Sequence, residues 1–172
     1  MLKQGYVQVY TGNGKGKTTA LLGAILRATG AGLRVYFCQF LKGDEYSEIK
    51  ALKAGFPQVT IAQYNADYIM GKLTPKDLEE AQAGLQALET AMLSGQYDVI
   101  AVDEINVAMQ LGLLDVKDVL TLLEKRPANV ELILTGRGVA REIALAADLV
   151  TDMQDMKHYY NAGVAARVGI EL

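Results

Sequence analysis

The apolar positions of this chain follow two rhythms that alternate along its length. Short β-branched and aromatic runs that stop at glycine, proline or acid predict strands at Gly5 to Tyr10, Arg34 to Phe40, Val59 to Gln63, Tyr97 to Glu104, Val130 to Thr135 and Leu149 to Asp152. Between them, apolar residues three and four apart predict helices. One covers Thr18 to Ala31, with Leu22, Ile25, Leu26 and Thr29 on one face and Gly30 and Gly32 to stop it. Others cover Ser47 to Ala54, Asp115 to Lys125 and Val139 to Ala146. The longest runs from Pro75 to Leu93. Thr74 is placed to cap it, Pro75 suits its first position, and Leu78, Ala81, Leu85, Leu88 and Met92 share a face. Tyr64 to Leu73 and the tail from Lys157 show neither rhythm.

Strands that alternate with helices, the central ones apolar on both faces, predict an α/β protein: a mostly parallel sheet with helices on both faces. Ligands of such sheets sit beyond the carboxyl ends of the strands. The segments Thr11–Thr19, Gln39–Asp44, Asp103–Asn106 and Thr135–Gly138 are therefore expected to converge on one crevice.

Composition narrows the picture. The 172 residues show no repeat or linker and are expected to form a single domain spanning 1–172. At 51% hydrophobic residues a sizeable core is available. A net charge of −3 argues against a nucleic-acid-binding protein. The single cysteine, Cys38 in "VYFCQF", reads as a buried strand thiol and suits a reducing compartment. With no apolar run fit for a membrane span or a signal peptide, the expectation is a cytoplasmic protein that does not contact a membrane.

The chemistry begins at "YTGNGKGKTTA", Tyr10 to Ala20. A loop between strand and helix aims backbone N–H groups at one spot, and its glycines let a phosphate approach. The helix N-terminus adds partial positive charge, Lys17 a full one, and Thr18 a hydroxyl for a magnesium ion. Gly16-Lys17-Thr18 fits the G-x-x-x-x-G-K-[ST] pattern, but Thr11 stands where its first glycine belongs. The second piece is "VIAVDE": carboxylates at a strand tip, Asp103 and Glu104, are suited to hold magnesium beside phosphates. "ILTGRG" brings Arg137 toward the same crevice, and "QFLKG" brings Lys42, each a candidate for an anion. His158, the one histidine, lacks partners at metal-ligand spacing and reads as a structural hydrogen-bonding group. Together these residues predict a P-loop NTPase (RecA-like) fold with a magnesium–nucleotide site. They do not decide between hydrolysis, phosphoryl transfer and a non-catalytic switch.

Taken together, "TGNGKGKTTA", "QFLKG", "VDEINVA", "ILTGR", "AADLVTDM" and "KHYYNAGVAARVGIE" resemble, in order and from Tyr6 to Glu171, the P-loop type of ATP:corrinoid adenosyltransferase, in which Thr11 is also typical. The resemblance implies attack of cobalt(I) of a reduced corrinoid on the 5′ carbon of ATP, with triphosphate leaving. It implies a nucleotide loop of Gly12, Asn13, Gly14, Lys15, Gly16, Lys17, Thr18 and Thr19, with Thr18 and Glu104 as Mg²⁺ ligands. Lys17 and Glu104 would be the catalytic residues, Arg27 would approach the nucleoside, and Arg137 and Lys42 are further candidates. A reduced flavoprotein or similar electron donor and a homodimer are implied as partners. Two features depart from some members. This chain starts almost at its first strand, without an N-terminal cover, and it has no tryptophan for the Phe-x-Trp pair that displaces the lower cobalt ligand. Tyr64, Tyr68 and Met70 are the candidates to supply that bulk, and with Ile69 they either form a lid that orders over the corrinoid or pack on the edge of the sheet. The corrinoid-carrier spacing D-x-H-x-x-G is absent, so His158 is not expected to ligate cobalt.

Overall fold

A computed structural model describes residues 2–43, 46–64 and 73–172. Its strands are β1 (Val7–Thr11), β2 (Val35–Phe40), β3 (Val59–Tyr64), β4 (Val99–Asp103), β5 (Glu131–Thr135) and β6 (Leu149–Asp152). They form one sheet in the order β3-β2-β4-β5-β1-β6, and every pairing is parallel. The fold is thus the expected α/β arrangement of P-loop NTPase type. The strand that leads into the glycine loop, β1, and the strand that ends in acid, β4, are not neighbours, because β5 lies between them.

Alternation along the strands divides the core in two. Val35 and Phe37 of β2 face one side with Val99, Ala101 and Ile133, and are covered by α1 (Lys17–Gly30) and α2 (Ser47–Gly55). Tyr36, Cys38 and Phe40 face the other side with Ile100, Val102, Leu132 and Leu134. That side is covered by α3 (Pro75–Leu93), α4 (Ile105–Gln110), α5 (Val116–Lys125) and α6 (Arg141–Ala146). Cys38 is fully buried, as read from its context, and burial pushes its thiol pKa far up, which keeps it a core residue.

The start of α3 is built as its sequence predicts. Thr74 Oγ1 accepts from the Asp77 N–H at 3.3 Å, Asp77 Oδ2 accepts from the Thr74 N–H at 2.7 Å, and Pro75 follows the cap. The buried stripe of α1 keeps Ile25 and Thr29 of the predicted face, with Leu22 packed at its edge, and differs from it elsewhere. Lys17, Leu21, Ile25 and Ala28 point inward, whereas Leu26 is 57% exposed. The phase is set where the loop delivers Lys17 into the crevice, and apolar counting along the helix alone misses that constraint. Helix α4 carries no side-chain cap and spans only six residues, too few to show a period.

Of the expected lid, Tyr68, Ile69 and Met70 lie outside the described residues, as does Asp44 of one strand-end segment. Tyr64 is described, and it packs into the fold. Its ring stacks on Phe40 with centroids 5.9 Å apart, directly over Gly84 of α3. No described helix is long and apolar enough to cross a membrane.

The strand-end crevice, a candidate active site

The four expected segments meet at the carboxyl edge of the sheet, around a cavity of about 970 Å³. Asn13 to Thr19, Lys42, Glu104 and Arg137 all line it. Arg27 does not. It sits in the last turn of α1, exposed, roughly 15 Å along the helix from Lys17 at 1.5 Å per residue.

The glycine loop turns in left-handed backbone. Gly12 has φ +96° and Gly16, which caps α1, has φ +125°. These values suit glycine and point loop N–H groups and the helix start inward. The loop is braced from behind by residues that follow β6: the Gly14 N–H donates to the Met153 carbonyl at 2.7 Å, and Met153 N–H to the Thr11 carbonyl at 2.9 Å. Lys17 Nζ lies inside the loop and donates to the Gly12 and Gly14 carbonyls, both at 2.8 Å. Burial, and then the charge of Arg137, lower the Lys17 pKa below the usual lysine range; Glu104 and Asp103 work against this.

The two acids at the end of β4 differ in kind. Asp103 is fully buried and its carboxylate is crowded with donors. Oδ1 accepts from Thr18 Oγ1 at 3.0 Å and Thr135 Oγ1 at 2.6 Å; Oδ2 accepts from Lys42 Nζ at 2.9 Å and Gln39 Nε2 at 3.2 Å. Glu104 follows with φ +61°, a left-handed non-glycine residue whose N–H donates to Thr135 Oγ1 at 3.1 Å. Its carboxylate accepts no hydrogen bond among the described residues. Burial, and then the charge of Asp103, raise its pKa above the ordinary glutamate value. A half-buried carboxylate without donors, next to a saturated one, is a good oxygen ligand for a hard cation. The Glu104 carboxylate and the Thr18 hydroxyl both line the crevice and are oxygen donors of the kind magnesium takes. For Lys42, burial acts to lower the pKa and Asp103 more than offsets it, so the net shift is upward.

Sequence reasoning missed three features. Asp103, and not Glu104, is the carboxylate that meets Thr18; the alternation of strand β4 against a single-residue left-handed turn decides which acid faces where. Asn106 is fully buried beneath the turn after β5, its Nδ2 on the Gly136 carbonyl at 3.2 Å, and so supports the backbone that carries Arg137. The tail folds across the mouth of the crevice. Lys15 Nζ donates to the Ile170 carbonyl at 2.9 Å and pairs with Glu171 at 3.5 Å, while Ser47 Oγ donates to the Leu172 carbonyl at 2.8 Å. Glu171 is in turn held by Arg167 and Tyr159. His158 lines the cavity, and its Nδ1 accepts from the Tyr160 N–H at 3.1 Å, the structural role expected of it.

Comparison with known proteins agrees with this arrangement. The family model described as ATP:corrinoid adenosyltransferase BtuR/CobO/CobP matches residues 3–172. A corrinoid adenosyltransferase of Salmonella typhimurium is 33% identical, over 98% of this chain and 86% of its own. One of Pseudomonas aeruginosa is 31% identical, over 98% of this chain and 84% of its own. An uncharacterised protein of Nostoc is 37% identical over 98% of this chain, which spans only 48% of that longer protein. From the residue pattern, the parallel sheet and these matches over nearly the whole chain, the chain belongs to the ATP:corrinoid adenosyltransferase family BtuR/CobO/CobP, a family of transferases.

Proposed function

We propose that the chain transfers the 5′-deoxyadenosyl group of ATP to the cobalt(I) of a reduced corrinoid, cobalamin or a precursor, and releases triphosphate. In this reaction the electron pair of cobalt(I) forms the cobalt–carbon bond as the C5′–O bond breaks, and the departing triphosphate takes that bond pair. A reduced flavoprotein or similar donor supplies the electron that makes cobalt(I) from cobalt(II). The nucleophile needs no general base. What the reaction needs from the protein is a countercharge that grows in value as the leaving group departs.

The observation that carries the reading is the Lys17 ammonium enclosed by the glycine loop, in a crevice that Glu104 also lines. Lys17, Lys15 and the loop N–H groups Gly12 to Thr19 would bind the phosphates. Thr18 and Glu104 would hold Mg²⁺, which when bound neutralises phosphate oxygens. Arg137, which also lines the cavity, would add a further charge. Arg27 would contact the nucleoside only if the adenosine extends along α1 away from the cavity. A homodimer and a cytoplasmic location belong to the same reading and rest on the family.

Incubation of the protein with ATP, magnesium and chemically reduced corrinoid tests it. The expected outcome is the spectrum of an alkylated corrinoid together with one triphosphate per corrinoid. ADP as the product would assign the site to phosphoryl transfer or hydrolysis, and no turnover would make it a nucleotide-binding switch.

A further inference from the structure

Lys42 stands at a position the proposed chemistry leaves unassigned. The residue before it, Leu41, has φ +63°, a left-handed conformation that a branched aliphatic residue adopts only under constraint. Leu41 is pinned there by its N–H, which donates to the Tyr64 carbonyl at 2.9 Å. The strained turn swings Lys42 back over the end of β2 and into the crevice, where its side chain is 19% exposed. Its Nζ lies 2.9 Å from Asp103 Oδ2, 3.9 Å from Glu48 Oε1 and 5.4 Å from the centre of the Tyr46 ring. No phosphate is needed to explain this placement. The ammonium sits on the acid beside the one to which magnesium is assigned, and it compensates that acid's charge from within the protein.

We propose that Lys42 is a resident substitute for the divalent cation, a positioning residue that keeps the crevice from loading metal before nucleotide. The inference rests on the reading of this crevice as a metal–nucleotide site. Two adjacent carboxylates without Lys42 would attract a free divalent ion. With Lys42 in place the charge of Asp103 is already countered, and Glu104 alone is too weak a ligand, so the ion enters only with the phosphates that complete its coordination. Metal and nucleotide binding are then coupled, and the coupling is reciprocal.

The test is binding of Mn²⁺, followed by its electron paramagnetic resonance signal, with and without ATP. Lys42→Met should bind Mn²⁺ in the absence of ATP at least about tenfold more tightly than wild type, and the strengthening of Mn²⁺ binding by ATP should shrink by a similar factor. Lys42→Gln, which keeps a polar group and guards against a folding defect, should behave the same way. Lys42→Arg, which keeps the charge, should match wild type. If Mn²⁺ binds nucleotide-free Lys42→Met and Lys42→Gln no more tightly than wild type, while wild type does bind Mn²⁺–ATP, the role of Lys42 is overturned and the nucleotide site stands. If wild type fails to bind Mn²⁺–ATP at all, the site reading on which it rests fails first.

Discussion

Gly12→Ala isolates what the glycine loop demands of its backbone. At φ +96° an L-residue is strained, which costs about 1–3 kcal/mol. The added Cβ would also overlap Asp152 Oδ1 and the Met153 carbonyl and lie 2.7 Å from the Met153 nitrogen, closer than real Cβ contacts come. Two of these neighbours are backbone and cannot swing away, so the overlap adds about 1–3 kcal/mol. The sum is about 2–6 kcal/mol. Unfolding entropy of about 2.1 cal/mol/K per residue gives this 172-residue chain about 0.36 kcal/mol/K, so melting should fall by about 6–17 °C. Gly23→Ala is the internal control. It lies inside α1 with no atom within 4 Å of an added Cβ, so better helix propensity should raise melting by about 2–3 °C. Circular dichroism melts of both variants, with ATP titrated calorimetrically into each, measure the effect. ATP binding should be lost or much weakened only in Gly12→Ala, whose carbonyl also accepts from Lys17. Equal melting temperatures for Gly12→Ala and wild type would refute the packing argument, and so would a Gly23→Ala variant as damaged as Gly12→Ala.

Other perturbations follow from the crevice. Lys17→Ala should cost about 2–4 kcal/mol of transition-state stabilisation; a rate above half of wild type at saturating ATP would remove the lysine from the phosphate site. Glu104 must be ionised to hold a cation, and its pKa is raised, so metal-dependent ATP binding should weaken on acidification sooner than an ordinary glutamate would dictate, and Glu104→Gln should flatten that profile. The stability side has the matching sign. The contribution of Glu104 is fullest below its unfolded value near 4.5 and is lost as pH rises through the raised folded value, so Glu104→Gln should melt no lower than wild type at neutral pH. Thr135→Val removes the 2.6 Å bond to Asp103 and the acceptor of the Glu104 N–H; thermal melts should show a loss of about 1–3 kcal/mol, and an unchanged melt would show that a water takes its place.

The parts of the site that a short window of sequence encodes were legible in it. The glycine loop, the apolar run ending in acid and the Thr74-Pro75 helix start each consist of neighbours in sequence, and each sits where it was expected. What escaped depends on contacts between distant residues. Whether Asp103 or Glu104 meets Thr18 is fixed by a turn of positive φ and by Thr135, thirty-two positions from Asp103. The docking of the tail rests on Lys15 reaching Ile170 and Glu171 across 155 positions, for which no periodicity exists. The phase of α1 was legible only in part, at Ile25 and Thr29, for a related reason: Lys17, a charged residue, is one of its buried positions.

The brace behind the glycine loop gives the molecule a remote reporter. Met153 links the loop to the end of β6, an exposed strand whose other edge has no neighbour among the described strands. The Met153 N–H is bonded to the Thr11 carbonyl, on the far side of the loop from the cavity, and its own carbonyl holds the Gly14 N–H. A phosphate that tightens the loop must therefore slow the opening of that pair, although neither Met153 nor β6 lines the cavity. Exchange at a single amide outside the pocket would then track occupancy of the pocket. By the same linkage, strain applied along the open edge would be felt at the phosphates.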